Sequence, residues 1–577
     1  MNKIKNIILL LIPVFATLNA QNNIGIDYYN VKDYELAKKY FLQKLSETPE
    51  EANYYLGEIA FAEGDLEKAI NYYSQGLQTS FDSYSRIGLA KVDLKKGQKT
   101  EALSSLNSIQ RRFPRDMNIL IAIGYAYLDN QLNQNLQSHL RELQKIDKKN
   151  PKIYVLEGDL LKSEDKIGQA AAKYDMAIYF DANYALAYIK GAEVYERSSP
   201  QVAIEKLREL IERNPNYTLA YRYLGRIYTS NGYYSSAIDA FKTYFAAGNY
   251  TLDDIARYAT ALYFSKDYEE AYKMIKEGLA INPDHFVLNR LQMYVIANTL
   301  NSEISNTFDS EAGLDYAKRF FSLKKDQTSE YIWLDYSMYA LILKDLKMFD
   351  EALEQYKQVL LLDNTAVDVY KEMATIVAQK GQSDLAADYY KSYIEKGGDK
   401  IDVLDYFQLG RYYYSAANVR STTDTASLLN RLQESHFVAT ISENELQKDS
   451  LIKNPSLFIT KAIQYYLNQT DKAFDMVIEL VPEGYTGYLW KARTNSLMDP
   501  DSEIGLAKPH YEKTVEILSD KEEVTPAIRN ALIEAYSYLG YFYYLKEDKT
   551  NTLHYWGKVL ELDPNNNNAN AVLKSVK

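Results

Sequence analysis

The side chains able to do chemistry in this sequence are few in kind. It has no cysteine, which removes disulfides, thiolate nucleophiles, thiolate-bound metals and a lipid-modified cysteine. The five histidines, His139, His285, His436, His510 and His554, stand far apart, without the paired spacing of a helical zinc site. Neither a G-x-x-x-x-G-K-[ST] phosphate loop nor a G-x-S-x-G nucleophile elbow occurs. These absences predict a chain that is not an enzyme and uses no cofactor or metal. What the sequence offers instead is tyrosine, 54 of 577 residues, with arginine beside it. Tyr188 and Tyr195 are seven apart, Arg222 and Arg226 four apart, and Phe407, Arg411 and Tyr414 four and three apart. On a helix each set shares one face, and Tyr263 takes the same position on its own helix. The chemistry is recognition: rigid aromatic area and guanidinium groups that pair with carboxylates.

The elements that position these residues follow from a repeat. A small residue is followed twelve places on by Ala, sixteen on by a bulky apolar residue and often twenty-four on by Pro. Gly57, Ala69 and Tyr73 fit this pattern, as do Gly158, Ala170 and Tyr174, and Gly191, Ala203, Leu207 and Pro215. So do Gly225, Ala237 and Phe241, and Ala259, Ala271, Ile275 and Pro283; Gly540, Thr552, Trp556 and Pro564 form the last clear copy. From Gly191 to Gly225 to Ala259 the step is 34 and 34 again. A helix of about a dozen residues, a tight turn and a second such helix fill that length. Small residues let the two helices approach, the bulky residue fills the space beside them, and the proline stops the second helix. Sparse glycine and proline, 24 and 13 residues, agree with a mostly helical chain.

Through Tyr221-x-x-Leu224-Gly225-x-x-Tyr228 followed by Ala237-x-x-x-Phe241, the sequence resembles the tetratricopeptide repeat (TPR) family over nearly its whole length. The resemblance implies an all-α fold, an α-solenoid in which about thirteen helical hairpins wind into a right-handed superhelix with the first helices lining the concave side. A groove centred on Tyr188, Tyr195, Arg222 and Arg226, and continued by Tyr263, Phe407, Arg411 and Tyr414, is then the expected binding surface. The Lys and Asn pattern with which some members clamp a carboxyl terminus is absent.

The array has interruptions. Leu136 replaces the Ala of the unit at Gly124. The organisation read from the sequence is a signal peptide at 1–20, an N-terminal array at 21–285 and a degenerate hairpin at 286–327. A central array at 328–414, an insertion or irregular helical segment at 415–455 and a C-terminal block at 456–577 follow, the last opening on a helical pair around 456–481. The signal reading rests on Lys3 and Lys5 ahead of the apolar run 7–16 and small Ala20. That run is shorter than the ~20 residues of a spanning helix.

A cleaved leader predicts an exported chain, periplasmic in a Gram-negative cell and not integral to the membrane. The passage from Gly487 through Trp490 to Arg493, with Gly505 to Glu512, is similar to one in exported TPR proteins of such bacteria. That resemblance supports the periplasmic setting and names no ligand; the wider resemblance to exported repeat proteins implies protein or peptide partners such as envelope transport or energy-transduction components. The net charge of −12, with cations interleaved among carboxylates, disfavours nucleic acid. Aromatic grooves also stack on sugar rings, so binding of peptidoglycan or another polysaccharide is the alternative to a protein-binding scaffold.

Overall fold

The computed structural model describes residues 24–300, 310–323, 330–418, 454–519, 521 and 523–576. The expected leader at 1–20 and residues 419–453 of the expected insertion lie outside the described residues. Among the described residues the regular structure is helical throughout, with no strand. Helices start where the sequence supplies a cap or a proline: Asp33, Asp65 and Asp116 accept from first-turn amides, and Pro151, Pro200 and Pro526 stand in first turns.

In several pairs a ring lies on the small residue. A methyl group added at Gly225 would stand 2.8 Å from the Phe241 ring, and one at Gly57 would stand 2.6 Å from Tyr73. The bulky residue sixteen places on thus sits directly over the small one rather than beside it. The connecting turns share a second device. Seven places after the small residue the backbone is left-handed, at glycines such as Gly232 (φ +77°) but also at Lys32, Gln131, Asp165, Lys266, Lys347 and Glu547. Glycine adopts this conformation without strain and other residues do not.

The chain divides into two compact units, residues 1–295 with 319–323, and residues 296–318 with 324–577. The helices Phe286–Thr299 and Ser310–Ser322 carry residues of both. The first unit contains eight successive helix pairs, from Ile24–Asn30 with Tyr34–Lys44 to Leu252–Phe264 with Tyr268–Ile281. Most of its first helices touch the first helix of the next pair, so the row curves with first helices on its inner side.

In the second unit one helix of 26 residues, Pro455–Leu480, stands where a helical pair was expected. It packs on Val403–Ala417. A methyl group on Gly410 would stand 2.8 Å from Phe474, and Thr470 is fully buried four residues before that ring. Gly410, Thr470 and Phe474 are therefore the small, small and bulky residues of one ordinary pair whose connection is enlarged. Boundaries at 415 and 455 separate two partners that belong together.

Several tyrosines serve buried carboxylates. Glu58, next to Gly57, accepts hydrogen bonds from the hydroxyls of Tyr29 (2.5 Å) and Tyr73 (2.7 Å) and from Lys91 Nζ (2.8 Å). Asp159, next to Gly158, accepts from Tyr125, Tyr174 and Lys190, all at 2.8 Å. A second arrangement uses Asp254 and Asp405, which close capping boxes with Thr251 and Asp402. They accept from Tyr244 (3.2 Å) and Tyr390 (2.8 Å) of the preceding second helix, and from Arg222 (2.7 Å) and Lys371 (2.9 Å) of the preceding first helix. Glu58 and Asp159 thus tie helices of three successive pairs, and Asp254 and Asp405 helices of two.

Burial pushes the Glu58 carboxyl up, but the Lys91 charge and the bonds from Lys91, Tyr29 and Tyr73 outweigh it and hold the group below the ordinary glutamate range. Removing one partner of such a pair strands the other charge, at a cost of about 3–5 kcal/mol. Lys91→Met should lower stability by that order in urea unfolding, and adding Glu58→Gln should recover part of the loss. At the turns, Lys347→Gly should raise stability and Gly232→Ala should lower it, each by about 1 kcal/mol.

Candidate functional site

Five of the eight expected groove residues lie in the N-terminal unit, on the first helices Ala185–Tyr195, Thr218–Ser230 and Leu252–Phe264. Tyr188 is 0% exposed, its hydroxyl within reach of the Ala182 carbonyl (3.1 Å) and the Glu209 carboxylate (3.0 Å). Burial, then the bond to Glu209, raise that phenol to about 12. Tyr263 is buried against Tyr268 and Tyr294. Tyr195 is half-buried, its hydroxyl donating to Asp175 (3.3 Å) and its ring beneath Lys206. The expectation that these three rings line an open wall is corrected. Tyr188 and Tyr263 pack between helices instead, and Tyr195 lies against Asp175 and Lys206 of neighbouring second helices.

The two arginines are engaged with neighbouring chain. Arg226 forks onto both Glu196 oxygens (3.1 and 2.6 Å) and lies 4.4 Å from the Tyr223 ring centre. Arg222 donates through Nε to Asp254 and through a second nitrogen to Asp33, 189 residues away. That second bond belongs to a set. The end of the helix Ile24–Asn30 and the turn that follows it reach the inner side of the later pairs. Tyr28 is 2% exposed, close enough to Arg222 and Asp254 for their charges to act on its phenol. Val31 packs on the apolar cluster that contains Tyr154, Val155, Leu186, Ala187 and Val194. Asp27 faces Tyr217, and burial lifts its carboxyl to about 7. The inner wall around Arg222 is therefore covered by the chain's own first hairpin, where an open groove was expected.

The other three residues share the helix Val403–Ala417 in the second unit. Phe407 and Tyr414 both meet Trp490 edge-on, with ring centres 5.9 and 5.3 Å away. Phe474 stacks on the same indole (5.7 Å), and Arg493 lies 4.8 Å from its centre while forking onto Glu534 (2.7 and 2.6 Å). Arg411 stands on this helix with its side chain exposed. On the later first helix Pro526–Leu545, Tyr541 and Tyr544 are each 45% exposed, three residues apart. Trp490 and Arg493 were missing from the expected set. Their signal was the Gly487-x-x-Trp490-x-x-Arg493 spacing, which places both on one helix face.

Two stretches, residues 22–83 and 191–250, match the tetratricopeptide repeat family. Over 307 residues the chain is 24% identical to a TPR repeat-containing protein of Methanocaldococcus jannaschii, covering 52% of each chain. Over 129 residues it is 26% identical to the CTR9 homolog of Arabidopsis thaliana, covering 22% of this chain and 12% of that one. The chain thus spans 52% and 12% of the length of these two curated relatives. Among solved structures, the C-terminal part of a TPR repeat-containing protein from Cytophaga hutchinsonii aligns over 54% of this chain and 97% of its own length. The identity there is 24% and the TM-score 0.36. The matched stretches, with the small-residue-under-ring pairs and their common turn, show that this chain carries tetratricopeptide repeats.

Proposed function

We propose that this chain is a non-catalytic scaffold, exported to the periplasm, that binds protein segments within a cell-envelope complex. Helix pairs that stack without a closed centre hold a long surface in place, and proteins of this repeat family generally use such surfaces to bind other proteins. In this reading each unit winds as a right-handed superhelix, and residues 1–20 are a leader removed on export. The basic start and the apolar run 7–16 support that leader. Among the described residues no helix is long and apolar enough to cross a membrane.

The observation that carries the binding assignment is the second unit's exposed set, Arg411 with Tyr541 and Tyr544, on helices held rigid by the Trp490 cluster. Exposed arginine and tyrosine on a rigid support are the usual anchors of protein interfaces. A sugar platform needs a bare ring face, and the indole of Trp490 is already stacked by Phe474 and capped by Arg493. The assay is capture of periplasmic proteins by the immobilised chain. Arg411→Glu with Tyr541→Ala and Tyr544→Ala should cut capture of the specific partner by about tenfold or more, equivalent to about 1.4 kcal/mol. Unchanged capture would reject this surface. Sedimentation with purified peptidoglycan that disappears in the same variant would assign it to glycan instead.

A further inference from the structure

The turn that covers the N-terminal wall is not required by the stacking of its own hairpin. That hairpin is already held by its neighbour: Tyr29 donates to Glu58, and Phe41 stacks on Tyr55 with ring centres 4.7 Å apart. The contacts of residues 27–33 with the wall are additional, and they join segments far apart in sequence. Nor does Arg222 rest on Asp33 alone. It also donates to Asp254, which accepts from Tyr244 and Thr251 as well. Beneath residues 27–33 the wall offers a guanidinium with one side committed elsewhere, an apolar cluster and a tyrosine hydroxyl at its edge.

We infer that this wall is a binding site for a short aromatic and acidic turn, that residues 27–33 are its resting occupant, and that a partner segment of the same chemistry displaces them. The required features are those the occupant shows: a tyrosine, an apolar residue three places on and an aspartate two beyond it, as in Tyr28, Val31 and Asp33. The inference rests on the binding-scaffold reading but concerns the other unit, so its test is separate from the capture assay.

The resting fit is incomplete. Asp27 Oδ2 and the Tyr217 hydroxyl are both buried, and neither makes a hydrogen bond of good geometry. Two polar groups left short of partners favour release into water. Asp27 adds a pH dependence. Tyr55, Tyr184 and Tyr217 face it from the packed elements and Tyr28 adjoins it on its own helix, and burial is what raises its carboxyl to about 7 from 3.8. The docked state therefore holds a proton that the released state gives up. Its contribution is full below about pH 4 and is lost as pH rises through about 7.

Two experiments on the full chain test this. The first uses a fluorescent peptide of residues 24–34 as probe. Val31→Lys with Asp33→Asn empties the wall while Asn keeps the cap on Leu36 that Asp33 supplies. The peptide should bind this variant at least tenfold more tightly than the unaltered chain, and adding Arg222→Lys should lose the gain. Equal binding to both chains, or binding to neither, overturns the inference. The second needs no wall or turn variant for its main reading. Amide exchange at residues 28–33, corrected for intrinsic rates, should be faster at pH 8.5 than at pH 5.5 on the order of tenfold, while residues 49–62 stay protected. Asp27→Asn should abolish that difference. Exchange that is independent of pH, or that moves together with residues 49–62, overturns it.

Discussion

A carboxylate taken out of water must have its lone pairs answered, and the answer organises this molecule. Glu58, Asp159, Asp254 and Asp405 are each met by tyrosine hydroxyls and by a cation drawn from different helices. The repeat's small residue makes this possible. It lets the ring sixteen places on lie flat against the first helix, and in two pairs that ring is a tyrosine whose hydroxyl then reaches the neighbouring carboxylate. The cation comes from an adjacent pair, so a bond that satisfies one hairpin also fixes its distance from the next. Apolar contact alone would allow sliding; a buried, directional network does not.

The same economy governs what the inner walls present. A wall of free charges attracts any opposite charge, but Arg226 is held by Glu196, Arg493 by Glu534 and Lys190 by Asp159. Such pairs are largely spent on structure. On the proposed reading, recognition falls to groups with capacity to spare, such as Arg222, which divides itself between Asp254 and Asp33, and exposed Arg411. Selectivity then depends on which charges the repeat leaves partly uncommitted.

The helix pairs were legible because small residue, alanine and ring recur within one hairpin, at separations the eye can follow. The turn was legible only in part. Gly232 and Gly381 announce a left-handed residue, whereas Lys347 and Glu547 hold the same conformation without a glycine to mark it. Gly410, Thr470 and Phe474 escaped because the enlarged connection stretches a separation of sixteen to sixty-four and threonine replaces alanine. Of the site, Arg222 and Arg226 were placed on the inner face from spacing. Their partners were not, since Asp33 lies 189 residues from Arg222 and nothing local points to it. One signal was present and unread: a carboxylate directly after the glycine with tyrosine fifteen places later, as at Glu58 and Tyr73 and again at Asp159 and Tyr174.

Side-chain carboxyl carbons report ionisation one residue at a time, so an NMR titration of the folded chain addresses the organising network directly. The network holds Glu58 and Asp405 below the ordinary range for their type, because donated hydrogen bonds and a cation outweigh burial. Both carbons should therefore keep the shift of an ionised carboxylate at pH values where exposed glutamates and aspartates have already protonated. Titration of either group at or above its ordinary value, with the chain still folded, would mean that burial prevails and that the tyrosine and lysine bonds are not made.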